Sequence, residues 1–107
     1  MAKAQLKALR REFRDAVFTR DENMCIFCRA PAVDAHHITD RNEMPNGGYT
    51  VKNGASLCAS CHLKAEEYHM TPHAKCWPGY HPDDLYMKIG SSYEEAYAAA
   101  SGLKDEG

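Results

Sequence analysis

Cys25 to His62 reads CIFCRAPAVDAHHITDRNEMPNGGYTVKNGASLCASCH, and the fold is decided inside this stretch. It opens with Cys25-x-x-Cys28 and closes with Cys58-x-x-Cys61, with 29 residues between the pairs. Two paired thiolates on tight turns can close a tetrahedron around zinc, with Zn–S bonds of ~2.3 Å. The two-residue gap lets both sulfurs of a pair converge while backbone N–H groups of the turn stabilise their charge. A four-sulfur shell leaves no position for water or substrate, so this zinc is expected to be structural. Its binding can contribute ~10 kcal/mol or more to folding. The rival readings of the same cysteines are a redox dithiol and a pair of disulfides. No βαβ pattern accompanies them, which speaks against the redox one.

Working outward, Ala32 to Ile38 (AVDAHHI) predicts a short strand, with Val33 and Ile38 supplying β-branched bulk. A loop follows from Thr39 to about Gly54, marked by Pro45 and Asn46-Gly47-Gly48. Ala55 to Leu57 predicts a second strand, and Ala59 to Met70 a helix stopped by Pro72. Upstream, Leu6, Leu9, Phe13 and Val17 recur at three- and four-residue steps, so residues 4 to about 20 read as an amphipathic helix extended by Phe18. Downstream, residues 82–89 read as a helix with Pro82 near its start and Gly90 past its end. A last helix follows Ser91-Ser92 and ends near Gly102, with Ser91/Glu94 or Ser92/Glu95 as a capping box. The chain reads as one α+β domain over 1–107, with a core at about 10–69 and a helical extension over 70–107.

Length and charge agree with this. The 107 residues suffice for one domain, and 44% hydrophobic with 26% charged residues is a globular balance. No apolar run approaches the ~18–20 residues of a membrane span. The first fifteen residues hold no apolar core, so no secretory signal and an intracellular setting are expected. The net charge of −2 excludes nucleic-acid binding by bulk charge, but its distribution is uneven. Residues 1–20 carry six basic and two acidic side chains, whereas residues 66–107 carry three basic and eight acidic ones. A polyanion would therefore meet the front helix, through Lys7, Arg10 and Arg14. The acidic C-terminal part reads as solvated helix faces or as a dock for a protein partner. Oligomeric state has no signature in the sequence.

Between and beside the cysteine pairs stand His36, His37, Asn53 and His62. A zinc cross-link would bring the end of the first strand near the start of the following helix, placing His36 and His37 in reach of His62. A basic helix, then C-x-x-C, a strand carrying His-His, an Asn, and C-x-x-C-His resembles the HNH endonucleases of the ββα-metal type, over about residues 10–69. Overall the chain looks like small free-standing members of phage or prophage type. The resemblance implies a zinc-stabilised ββα-metal core and metal-dependent hydrolysis of DNA phosphodiesters, by nicking or by double-strand cleavage. It implies His36 and His62 as ligands of a divalent metal (Mg2+, Mn2+, Ni2+ or Zn2+), His37 as general base, Asn53 as the residue that fixes the loop, and the four cysteines as zinc ligands. A non-catalytic zinc module that binds nucleic acid or a protein partner is the alternative, though it would have little use for these four side chains together.

Several positions stay open. Glu66, four residues after His62, could complete the metal shell, orient His62 or be an ordinary solvated carboxylate. His69 lies one turn further along. Asp34 could hydrogen-bond a ligand imidazole or serve a turn, and Arg41 could contact the scissile phosphate or simply be solvated. For His36 and His37 to serve one site, the strand has to bulge or end there, because neighbouring strand residues point to opposite sides. Cys76 is left over, as a buried small side chain or a free thiol. His73 and His81 carry no ligand spacing. Trp77, Tyr80, Tyr86, Tyr93 and Tyr97 are expected to pack against the zinc core.

Overall fold

The computed structural model describes residues 3–103. Its first element, α1 (Lys3–Arg20), forms where the apolar stripe predicts. Phe13 and Val17 are buried, Leu6, Leu9 and Phe18 pack at the margin, and Lys7, Arg10, Arg11 and Arg14 face out. The helix is locked to the rest by its last residue and the next. Arg20 donates to the carbonyls of Val51 and Gly54 at 2.8 and 2.7 Å and pairs with Asp21 through two contacts. Asp21 in turn accepts from the Ser56 N–H at 3.0 Å.

The sheet has two strands, β1 (Asp34–His37) and β2 (Gly54–Leu57), paired antiparallel from Asp34 opposite Leu57 to His37 opposite Gly54. One face carries Ala35, His37, Gly54 and Ser56 towards α1; the other carries Asp34, His36, Ala55 and Leu57 towards α2 (Ala59–Met70). All four residues of β2 are buried, because both faces are covered. Gly54 has to be glycine. A Cβ there would meet Val17 Cγ2 at 2.3 Å and the Phe13 ring at 2.8 Å.

β1 is shorter than its sequence suggests. Val33 lies outside it and is about half exposed, while Ile38 is fully buried one residue past its end. The residues left in the strand, Asp-Ala-His-His, have little β propensity, so pairing with β2 and cover from two helices hold them extended. The connecting loop is three short 3-10 turns, at Arg41–Glu43, Pro45–Gly48 and Val51–Asn53. Asn46, Gly47 and Gly48 all have positive φ, and Asn46 Nδ2 donates to the carbonyls of Ala100 and Leu103.

That contact ties the loop to the C-terminal helices, α3 (Pro82–Lys88) and α4 (Tyr93–Ser101). Of the two candidate caps for α4 it is Ser92 that accepts from the Glu95 N–H, at 3.1 Å. The acidic pairs Asp83/Asp84 and Glu94/Glu95 occupy first helical turns, where the helix dipole favours them. Residues 104–107, which end the acidic part, lie outside the described residues. Leu85, Tyr86, Ala96 and Ala100 complete the core beneath the cysteines. Tyr80 and Tyr86 join it as expected, with Tyr80 stacked on Phe27 at 4.2 Å. Trp77, Tyr93 and Tyr97 do not: each remains 42–49% exposed, Trp77 beneath the Lys64 ammonium and Tyr93 beside Tyr97. Cys76 is exposed, a free thiol and not a packing residue. Among the described residues no helix is long and apolar enough to cross a membrane.

Candidate active site

The cysteines converge as the spacing predicts. Cys25 and Cys28 sit on a turn closed by the Arg29 N–H to the Cys25 carbonyl, and Cys58 precedes α2, on which Cys61 lies. Their sulfurs all lie within 4.8 Å of one another, and none is in a disulfide. Cys28 Sγ is 3.5 Å from Cys58 Sγ, far longer than a disulfide bond and near the ~3.8 Å edge of a zinc–sulfur tetrahedron with ~2.3 Å bonds. Burial pushes the Cys61 thiol up to about 12. Burial also raises Cys25, but N–H groups of Cys28, Cys58 and Phe27 outweigh it and bring that thiol down to about 6. Four sulfurs this close hold several negative charges only around a cation, so the donor set is compatible with structural zinc.

A second cluster lies on the α2 face of β1. His36, His62 and Glu66 each offer a ligand atom within 4.8 Å of the others. His36 is 1% exposed, and neither ring nitrogen has a hydrogen-bond partner. Its Nδ1 stands 3.5 Å from Glu66 Oε1, beyond ordinary hydrogen-bond length. His62 Nε2 is 3.0 Å from Asp34 Oδ2 and 3.3 Å from Glu66 Oε1. Burial holds His36 below its usual range, so the ring is neutral at pH 7 with a lone pair to give. The nearby imidazoles, His36 first, hold the Glu66 carboxyl below the usual carboxylate range. An orphaned buried imidazole beside a second imidazole and an ionised carboxylate fits a divalent cation.

β1 shows no bulge and ends on His37, so the two neighbouring imidazoles leave it on opposite faces. His37 stacks on Phe13 at 4.6 Å and meets the edge of Tyr49 at 5.0 Å. Burial pushes it down to about 4, and its Nε2 has no partner. What relates the two sides is a groove of about 370 Å3 along the strand, lined on one side by Arg10, Phe13, Arg14 and Tyr49 and on the other by Asp34 and Glu66, with His37 and Arg41 between. His36 and His62 lie behind Glu66 and do not line it. Lys7 stands exposed on α1 outside it.

Asn53 is fully buried at the end of the loop. Its Oδ1 accepts from the Thr39 N–H at 2.9 Å, and its Nδ2 donates to the carbonyls of Thr39 and Gly48 at 3.0 and 3.2 Å. Two residues that the sequence did not single out for the site belong beside these. Tyr86 donates to Asn53 Oδ1 at 2.7 Å and lies 2.6 Å from the Thr39 hydroxyl, so α3 props the loop behind the strand. Tyr49 accepts from Arg10 Nε at 3.1 Å and holds that guanidinium over the groove. Both sit far along the chain from their partners, 33 and 39 positions away, and no sequence spacing marks them.

Residues 25–67 match the family model described as HNH endonuclease. No curated protein and no solved structure matches the chain.

Proposed function

We propose that this protein, whose residues 25–67 match the HNH endonuclease family model, is a metal-dependent endonuclease that hydrolyses phosphodiester bonds in DNA. The observation that carries the reading is the cluster of His36, His62 and Glu66, whose ligand atoms converge behind a groove lined by three arginines and His37, with both His36 nitrogens unpartnered. A divalent cation such as Mg2+, Mn2+, Ni2+ or Zn2+ held there would offset charge building on the phosphate and on the departing oxygen.

The chain's own residues supply the rest. Arg10, Arg14 and Arg41 draw the DNA backbone into the groove, and their attraction weakens as salt rises. His37 takes the proton of the attacking water. Its ring is kept neutral by burial, and the Phe13 face and Tyr49 edge fix its plane. Asn53 holds Thr39 and Gly48, and so sets where β1 ends and where His37 sits. Asp34 Oδ2 meets the same His62 Nε2 that faces Glu66, and so holds that ring at the cluster. The four cysteines keep zinc as a structural element. The acidic helix starts of the extension remain available to a protein partner.

Relaxation of supercoiled plasmid tests this. Purified protein supplied with Mg2+, Mn2+, Ni2+ or Zn2+ should nick or linearise the plasmid, and chelation should stop it. His37→Ala should keep its zinc and its circular dichroism while losing about 100-fold or more in rate. A variant that cuts as fast as the wild type removes His37 from the role of base.

A further inference from the structure

Next to His36, whose ring stacks on that of His69 at 5.4 Å, lies a group of donor side chains that the nuclease reading does not use. Glu43 comes from the first loop turn, His69 from the last turn of α2 and His73 from just beyond it, yet each offers a ligand atom within 4.8 Å of the others. All three line one cavity of about 210 Å3, walled by Tyr68 and Tyr86. His73 Nε2 stands 3.3 Å from Glu43 Oε2.

His69 is the telling residue. Its Nε2 lies 3.1 Å from the His37 carbonyl, which can only accept, so that nitrogen carries the hydrogen. Nδ1 is then a bare lone pair, and it is buried without a partner. An imidazole held through one nitrogen by a carbonyl, with the other left bare, is the arrangement by which metal-binding histidines are oriented. A surface ion pair between His73 and Glu43, each about half exposed, would account for those two residues but not for the unpaired His69 nitrogen.

We propose that Glu43, His69 and His73 form a second exchangeable divalent-cation site. Two imidazoles and one carboxylate select borderline ions such as Ni2+, Co2+ or Zn2+ over Mg2+. An ion there joins the turn at residues 41–43 to the C-terminal end of α2. It also acts on β1 through the hydrogen bond from His69 to His37.

Calorimetric titration of the zinc-loaded protein with Ni2+ tests the site without any appeal to cleavage. Cys76→Ser serves as the background, since that exposed thiol could bind the ion itself. His62→Ala disables the cluster at His36, and should still leave one Ni2+ equivalent bound per chain. Adding His73→Ala should abolish that binding or weaken it at least tenfold. Glu43→Gln, a change on an exposed turn that keeps the side chain's shape, should weaken it by about the same factor. Zinc content and circular dichroism confirm that each variant is folded. Ni2+ binding that is absent in His62→Ala, or unchanged by both His73→Ala and Glu43→Gln, would overturn the proposal.

Discussion

Single side chains set the properties of the site, and two of them give measurable expectations. Asn53 satisfies the Thr39 N–H, two carbonyls and the Tyr86 hydroxyl from one buried position. Asn53→Ala leaves those groups without partners in a closed space and should cost ~3 kcal/mol, read as a lower urea midpoint. His37 makes stability depend on pH. Its folded-state pKa of about 4 lies below the ordinary value of 6.5, so between those pH values the unfolded chain binds a proton that the folded chain does not. Stability is therefore fully present above pH 6.5 and falls as pH drops towards 4, by up to ~1.4 kcal/mol per pH unit for one such group. Denaturation at several pH values should show a shallower fall in His37→Gln than in the wild type. The residue types of the site were legible in the sequence, as His36, His37, Asn53 and His62 stood out beside the cysteine pairs. Their partners were not. Tyr86 reaches Asn53 across 33 positions, and Tyr49 reaches Arg10 across 39, distances over which spacing carries no information.

At the scale of elements, legibility followed the source of each element's stability. α2 spans Ala59–Met70, as the sequence predicts, and Pro72 just beyond it is a local stop signal. β1 was misjudged at its edges because its stability is tertiary. Val33 looked like strand and is not, and the unpromising Asp-Ala-His-His is strand because α1 and α2 press it against β2. The contact of α1 with the sheet is close enough to test. Gly54→Ala sets a methyl group against Val17 and Phe13 and should lower stability by ~2 kcal/mol or more. Val17→Ala should recover part of that loss when the two changes are combined. A double-mutant cycle reads this as a favourable coupling, and strict additivity would mean that α1 yields instead of clashing.

Over the whole molecule, one small fold brings together two kinds of donor set. Four sulfurs cluster beside the first turn of α2, a set compatible with structural zinc. On the same helix, His62 and Glu66 face His36, whose two ring nitrogens have no hydrogen-bond partner. The extension beyond residue 70, which the motif does not cover, is part of that arrangement because α3 holds the loop through Tyr86 and α4 takes the contact from Asn46. Diffraction at the manganese absorption edge from crystals of the zinc-loaded protein grown with Mn2+ tests the arrangement most directly. An anomalous peak is expected ~2.2 Å from one ring nitrogen each of His36 and His62, beside Glu66, with zinc still held by the cysteines. His36 and His62 turned apart, with no manganese between them, would contradict it.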